Sequence, residues 1–291
     1  MKYLNGNADI TIQQNGTRII EFDGQLNLDW PLNIDIRVSN RCSFGYNPST
    51  NSAFCSFCHE SARTDGSECD YWALKTQLVD LPPGIELAIG GNQLTEELAH
   101  FLGWCKGKGF ICNLTVNQGH LRRDKTILKW CIDHLWVNGL GISYRPELKW
   151  DIPSDFLKYE NTVFHVIAGI DSFSDVLNLS TKGVKKVLVL GEKDFGFNQG
   201  NVDLKSQSHK EWFWWIRKLF DAFDVVSFDN LALEQLNVQR FIPKDNWSTF
   251  YQGEHSFYIN AVEGYFSPSS RNPNKTDWNL TDIKSYFKTI I

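Results

Sequence analysis

Residues 32–58 read Leu32-Asn-Ile34-Asp-Ile36-Arg-Val38-Ser-Asn-Arg-Cys42-Ser-Phe-Gly-Tyr-Asn-Pro-Ser-Thr-Asn-Ser-Ala-Phe-Cys55-Ser-Phe57-Cys58. Apolar and polar residues alternate up to Val38, which predicts a β-strand. Three cysteines follow in one loop at C-x12-C-x2-C spacing. Thiolates are soft ligands that suit zinc or an iron–sulfur cluster. The loop after this strand therefore predicts a metal site.

Two interpretations of the metal site differ in the number of protein ligands. A structural zinc ion takes four protein ligands, and the candidates for the fourth are His59 and Cys69. An iron–sulfur cluster bound by only three cysteines instead leaves one iron free to bind another molecule. The first interpretation predicts a structural metal site, and the second predicts a catalytic one.

The cysteine loop resembles a known signature. Cys55-Ser-Phe57-Cys58 is similar to the second half of C-x3-C-x-aromatic-C, the motif of radical S-adenosylmethionine (SAM) enzymes, although the first gap here has twelve residues. The added segment Tyr46–Ser52 is rich in Asn, Ser and Pro, which predicts a surface loop that lengthens at small entropic cost. The resemblance implies that Cys42, Cys55 and Cys58 ligate a [4Fe–4S] cluster and that Phe57 lies near the adenine of SAM.

A glycine pair ends the second predicted strand, followed by Asn92. This segment resembles the Gly-Gly-Glu-Pro sequence with which the same family holds the SAM amino group, with Asn92 in place of Glu. The resemblance implies that the carbonyls of Gly90 and Gly91 accept hydrogen bonds from the SAM ammonium, and that Asn92 offers only a neutral acceptor. The alternative is a plain glycine turn into the next helix.

The third and fourth predicted strands end in polar residues. Asn117 closes Leu-Thr-Val-Asn, which resembles the Thr-Asn-Gly end of the family's third strand, and is a candidate contact to SAM or substrate. Arg145 is a candidate partner for the SAM carboxylate because a guanidinium fork matches a carboxylate. Ser143 is a candidate contact to the ribose. Local turns and surface ion pairs are the alternatives for all three residues.

Six strands alternating with helices predict an α/β fold with a parallel sheet and right-handed crossovers. The resemblance implies a partial (β/α)6 TIM-like barrel, although an open doubly wound sheet has the same alternation. We expect an N-terminal β-hairpin extension at 1–30, the radical SAM partial barrel at 31–223, and a C-terminal extension at 224–291 that covers the barrel mouth. Within the barrel, residues 209–223 are apolar nearly all round, which predicts a well-buried helix.

Composition narrows the class of protein. The chain has 291 residues, 42% of them hydrophobic and 22% charged, as in ordinary globular proteins. A net charge of −5 argues against a nucleic acid partner, which would favour a basic surplus. No apolar stretch reaches the ~18 residues of a membrane span, and the N-terminus lacks a secretory apolar region. Seven cysteines, an odd number, fit a reducing compartment, so we expect a cytoplasmic protein without a membrane partner.

The resemblance implies an enzyme that reductively cleaves SAM at the cluster and abstracts hydrogen from a small-molecule or nucleotide-type substrate. It also implies a one-electron donor such as flavodoxin or ferredoxin. The widened first gap is similar to that of 7-carboxy-7-deazaguanine synthases, which makes a deazapurine or pterin substrate one alternative. A four-cysteine zinc protein without radical chemistry, with Cys69 as fourth ligand, is the alternative outside the class.

Overall fold

The computed structural model describes residues 1–13, 18–91, 93–149, 151–241, 243 and 255–291. The strands, in chain order, are β1 (Lys2–Asn5), β2 (Ala8–Ile12), β3 (Arg18–Phe22), β4 (Asn33–Arg37), β5 (Arg41–Asn47), β6 (Ser52–Ala53), β7 (Glu86–Gly91), β8 (Ile111–Asn117), β9 (Gly139–Ser143), β10 (Thr162–Ile167), β11 (Lys186–Leu190), β12 (Val225–Phe228), β13 (Ser256–Asn260), β14 (Tyr265–Ser267) and β15 (Thr276–Asp277).

The α-helices lie mostly between these strands, as the sequence predicts. They are α1 (Tyr71–Leu78), α2 (Glu96–Gly107), α3 (His120–Arg123), α4 (Lys125–Asp133), α5 (Ser154–Leu157), α6 (Phe173–Thr181), α7 (Gln207–Trp215), α8 (Arg217–Ala222), α9 (Asn230–Gln235) and α10 (Ile283–Ile290). Side-chain caps begin several of them: the Asp70 carboxylate accepts hydrogen bonds from two backbone N–H groups of the first turn of α1, and the Thr95 hydroxyl accepts one in α2.

The main sheet has ten strands in the order β12-β11-β10-β9-β8-β7-β4-β13-β14-β15. The strands from β12 to β13 run parallel, and β14 and β15 are antiparallel to their neighbours. The predicted α/β class with a parallel sheet is confirmed. The sheet is open rather than closed, because β12 has one sheet neighbour and the far side of β4 pairs with β13 instead. A closed TIM barrel is therefore not the arrangement of the described strands.

One face of the sheet packs on the helices and the other faces a cavity. Burial alternates along β8 and β10, so that every second residue is fully enclosed. Ile34, Leu87 and Leu114 are completely buried on the helix side and belong to the main hydrophobic core. Asp35 of β4, Thr115 of β8 and His165 of β10 carry polar side chains toward the cavity, which is why these strands do not read as uniformly apolar runs.

The N-terminal segment forms a small three-stranded sheet, β1-β2-β3, with all neighbours antiparallel. The pairing of β2 with β3 is the hairpin that the sequence predicts, and its turn residues 14–17 lie outside the described residues. Residues 224–291 supply four strands of the main sheet, β12 at one edge and β13 to β15 at the other. β13 and β14 form an antiparallel hairpin, and residues 249–254 lie outside the described residues.

The expectation of one well-buried helix over residues 209–223 is wrong. The segment is divided at Ile216 into α7 and α8, and only part of it is enclosed. Trp212 is fully buried, whereas Trp214 and Trp215 are 69% and 51% exposed. Neighbouring tryptophans point in different directions from a helix, so an all-round apolar composition does not require all-round burial. Within the described part of the chain, every helix is too short or too polar to cross a lipid bilayer.

Candidate functional site

A β-hairpin absorbs the long gap between the first two cysteines of the loop. Cys42 lies in β5, and β5 pairs antiparallel with β6 through Tyr46–Ala53 and Asn47–Ser52. The backbone N–H of Cys55 then donates to the carbonyl of Phe44 at 3.3 Å. The chain leaves after Cys42 and returns beside it, so the twelve-residue gap does not separate the first two thiols. Part of the predicted surface loop is thus paired strand.

The cysteine loop borders a cavity of about 310 Å³ at the carboxyl ends of the parallel strands. Residues from seven strands, β13, β4, β7, β8, β9, β10 and β11, line it. Seven flat strands spaced about 4.8 Å apart would extend over roughly 29 Å. Because all of them reach one small cavity, the open sheet curves around it. This volume is at the lower end of the range for small-molecule sites, about 300–1,000 Å³.

All three cysteines of the loop line this cavity. Burial raises the pKa of Cys42 to about 11, and negative charge on Cys55 or Cys58 would raise it further. Burial also raises the pKa of the Cys55 and Cys58 thiols, while the Arg145 guanidinium lowers both. Two buried thiols and one half-buried thiol at the same cavity, all with raised pKa, are poorly ionised unless a cation holds them as thiolates. The donor set therefore fits a thiolate-bound metal group.

The described side chains do not form a single-ion site. Within the described residues, no group of three or more His, Cys, Asp or Glu side chains is arranged to hold one metal ion. Sulfurs on one zinc, each at ~2.3 Å, lie only about 3.8 Å apart, whereas cysteines of a [4Fe–4S] cluster each bind a different iron. Cys69, the proposed fourth zinc ligand, belongs to the hydrophobic core and does not line the cavity. Burial raises its pKa to about 12.

Arg145 and Phe57 form one wall of the cavity beside Cys55. The Arg145 side chain is buried and its guanidinium carbon lies 4.5 Å from the Phe57 ring centroid. Its Nη1 donates to the carbonyl of Tyr144, and its backbone N–H donates to Gln118 Oε1 at 2.9 Å. The buried Nε has no hydrogen-bond partner. A buried guanidinium with an unused donor at a cavity is suited to an anionic ligand.

Three more predicted residues reach the same cavity. Gly90 of β7, Asn117 of β8 and Ser143 of β9 all line it, and Asn117 is the direct register partner of Ser143. A side chain at Gly90 would meet no atom closer than 4.0 Å, so its backbone is open to a ligand. Gly91 continues β7 opposite Val116. Asn92 lies outside the described residues.

A polar cluster that the sequence analysis did not single out as a unit lies in the same cavity. The guanidinium Nε of Arg37 lies 2.9 Å from Glu60 Oε2, and His59 Nε2 lies 3.2 Å from Glu60 Oε1. Lys193, which follows β11, places its Nζ 3.4 Å from His59 Nε2. Burial alone would raise the pKa of Glu60, but its interactions with His59, Arg37 and Lys193 have the larger effect and lower the pKa to about 2. Glu60 is therefore charged at neutral pH.

Asp35 is the cavity carboxyl without a partner. It lies on β4 between Ala88 and Tyr258 in register and makes no hydrogen bond or ion pair within the described residues. Desolvation raises the pKa of Asp35 to about 6, although the charge of Lys193 opposes this shift. Asp35 faces the solvent space of the cavity. It is thus available to a ligand.

Alternating polar residues on strands of a parallel sheet are the signal that could have revealed the polar lining of the cavity. Parallel strands covered on both faces are nearly continuous apolar runs, yet Asp35, Thr115 and His165 interrupt three such strands. Gly141 provides room for His165, because an added side chain there would lie 2.7 Å from the imidazole. Burial lowers the pKa of His165 to about 4, so the ring is neutral at physiological pH.

The fold and the site define an α/β protein with an open, curved, mostly parallel sheet and a thiol-bearing cavity at its carboxyl edge. The chain is similar to the solved crystal structure of Streptococcus suis SuiB bound to S-adenosylmethionine, with a TM-score of 0.57 and 13% sequence identity. The match covers 89% of this chain and 64% of that chain, which is less than two thirds of its length. At this identity the likeness shows the fold alone. No family model and no curated protein matches the chain.

Proposed function

We propose that this protein is a radical SAM enzyme. The observation that carries the proposal is that Cys42, Cys55 and Cys58, separated by unequal gaps in sequence, all face one cavity at the carboxyl ends of the parallel strands. The SAM-bound state of the structurally similar protein agrees with it. Under this proposal, the curved open sheet would correspond to the partial (β/α)6 barrel that the sequence resemblance implies.

The three thiolates would hold a [4Fe–4S] cluster. When bound, cluster and SAM supply one-electron cleavage of SAM to methionine and a 5′-deoxyadenosyl radical that abstracts a substrate hydrogen. The chain itself fixes the thiols: Cys58 N–H donates to the Cys55 carbonyl at 3.1 Å, and Phe197 N–H donates to the Cys58 carbonyl at 3.0 Å. The curved sheet and the loops that cross it limit access of water to this end of the cavity.

The residues next to the thiols would position SAM. Arg145 supplies an unused guanidinium donor for the carboxylate, and Phe57 presents an aromatic ring for the adenine. The open backbone at Gly90 suits the amino group, with Gly91 and Asn92 retained from the sequence resemblance. Ser143, which lines the same cavity, would contact the ribose. An ammonium, a carboxylate and an aromatic base would each meet a group of complementary chemistry.

The part of the cavity lined by Asp35 and Lys193 would bind the substrate. Asp35 and Lys193 offer one acceptor and one cationic donor there, which suits a small-molecule or nucleotide-type substrate that carries both N–H groups and an anionic or carbonyl oxygen. A deazapurine is one member of that class. Tyr258 and Ser270 also line the cavity, which supports a covering role for the C-terminal extension. An electron donor such as flavodoxin or ferredoxin belongs to the same proposal.

Anaerobic reconstitution tests the proposal directly. We expect a brown protein with broad absorbance near 400 nm, about four irons per chain, and formation of 5′-deoxyadenosine from SAM after reduction. Cys58→Ala should abolish all three signals. Cys69→Ala is the control, because Cys69 is also a thiol enclosed by the fold but lies outside the cavity.

Two outcomes would contradict the proposal. A colourless protein with one tightly held zinc that is lost on replacing Cys69 would instead support a four-sulfur zinc site. An iron-loaded protein that binds SAM but releases no 5′-deoxyadenosine under reduction would reject the radical chemistry while keeping the cluster.

A further inference from the structure

The orientation of the Asn117 amide is fixed by its surroundings. Its Oδ1 accepts a hydrogen bond from the backbone N–H of Gly119 at 2.9 Å. A backbone N–H can only donate, so the oxygen must be on that side. The NH2 group therefore points the other way, and Nδ2 lies 3.7 Å from the sulfur of Cys55. Both ends of the amide are in use.

Cys55 differs from the other two cysteines in the kind of donor that reaches its sulfur. Main-chain N–H groups act on Cys42, from Phe44 and Gly45, and on Cys58, from Glu60 and Ala62. Cys55 instead receives side-chain donors, from Asn117 and from Arg145. A side-chain donor can be removed by substitution without altering the backbone, so this sulfur is the one at which hydrogen bonding can be tested.

We propose that Asn117 is a positioning residue for the Cys55 sulfur, setting how easily the cluster accepts its electron, rather than a contact to SAM. The proposal rests on the proposed function. Hydrogen bonds to the sulfurs are among the main determinants of iron–sulfur potentials. Reduction adds one electron, taken from the external reductant, and spreads negative charge onto the sulfurs. An N–H donor stabilises that charge, so the Asn117 amide raises the reduction potential.

The test is a spectroelectrochemical titration of the reconstituted protein in the absence of SAM, followed by the loss of absorbance near 400 nm and the electron paramagnetic resonance signal of the reduced state. Asn117→Leu removes the donor at similar volume. Asn117→Asp keeps the oxygen that accepts from Gly119 but replaces the donor by a negative charge. We expect a more negative midpoint potential for the Leu variant and a still more negative one for the Asp variant.

Thr115→Val is the matched control. Thr115 precedes Asn117 by two residues on the same strand and the same face, lines the same cavity, and makes no hydrogen bond to a sulfur within the described residues. Its variant should keep the wild-type potential. SAM affinity of the oxidised protein, measured by equilibrium dialysis, should stay within about twofold of wild type in the Leu variant.

The outcomes separate this inference from the proposed function. If wild-type protein binds no cluster, the proposed function fails and this inference falls with it. If the cluster forms and the Leu and Asp variants share the potential of Thr115→Val, only the role of Asn117 is overturned. If the Asn117→Leu variant loses SAM binding while its reduction potential is unchanged, the positioning role of Asn117 is overturned in favour of a direct contact to SAM. Should the Leu variant not fold, the Asp variant decides, since it retains the bond from Gly119.

Discussion

Replacing Arg145 by Met should weaken SAM binding while leaving the three cysteines in place. The side chain is only 6% exposed, and its Nε is buried without a partner, so a bound carboxylate would gain a charge-assisted hydrogen bond from a donor already free of water. Such bonds contribute about 1.5–3 kcal/mol. At about 1.4 kcal/mol per tenfold, the dissociation constant should rise roughly 10- to 150-fold.

The assay is equilibrium dialysis of labelled SAM against oxidised, reconstituted protein, with iron content measured on the same samples. Arg63→Met is the matched control, because the Arg63 guanidinium also lies over an aromatic ring, 5.3 Å from the Tyr46 centroid, yet its side chain is 45% exposed and paired with Asp65. Its variant should bind SAM within about twofold of wild type. Equal affinity of the Arg145 and Arg63 variants at equal iron content would refute the assignment of Arg145.

Three further changes test other parts of the site. Phe57→Leu should raise the SAM dissociation constant about 2- to 10-fold in the same assay, since aromatic stacking contributes about 0.5–1.5 kcal/mol. Because the folded-state pKa of Asp35 is raised to about 6, the contribution of Asp35 to wild-type stability should fall as pH rises from 4 to above 6. The Asp35→Asn variant should therefore have a higher melting temperature than wild type at pH 8 and the same melting temperature at pH 4. A difference in melting temperature that does not depend on pH would contradict this. In urea unfolding, Gly196→Ala should lower the free energy of unfolding more than Gly200→Ala. Both glycines have positive φ, which costs an alanine about 1–2 kcal/mol. Only at Gly196 would the added carbon lie 2.4 Å from the His59 carbonyl oxygen.

Much of the element order follows from the sequence because local signals agree with the fold. The alternating run up to Val38 forms β4, and the strand predicted to end in a glycine pair is β7, Glu86–Gly91. Regular alternation and capping are local properties, so they are legible without tertiary context. The three cysteines and Phe57 can also be recognised from the sequence, because the spacing of these residues is the signal of the site.

The hairpin inside the cysteine loop was not predictable from the same signals. Asn, Ser and Pro indicate a turn, but β5 and β6 pair through only two register positions, too few for alternation to appear. The polar cluster was harder still. Lys193 and His59 are 134 residues apart in sequence, and each alone reads as a solvated charge. Only the curvature of the sheet brings them together, and curvature has no local sequence pattern.

The C-terminal strand shows why the two ends of the chain act as one site. β13 runs parallel to β4 along five register positions, with Tyr258 opposite Asp35 and Asn260 opposite Arg37. Four of its five residues are buried, so its composition cannot indicate which neighbour covers it. Loss of β13 would free the hydrogen-bonding edge of the strand that leads into the cysteine loop and remove Tyr258 from the cavity wall. Residues beyond 255 therefore act on the cavity through β4, as part of its wall.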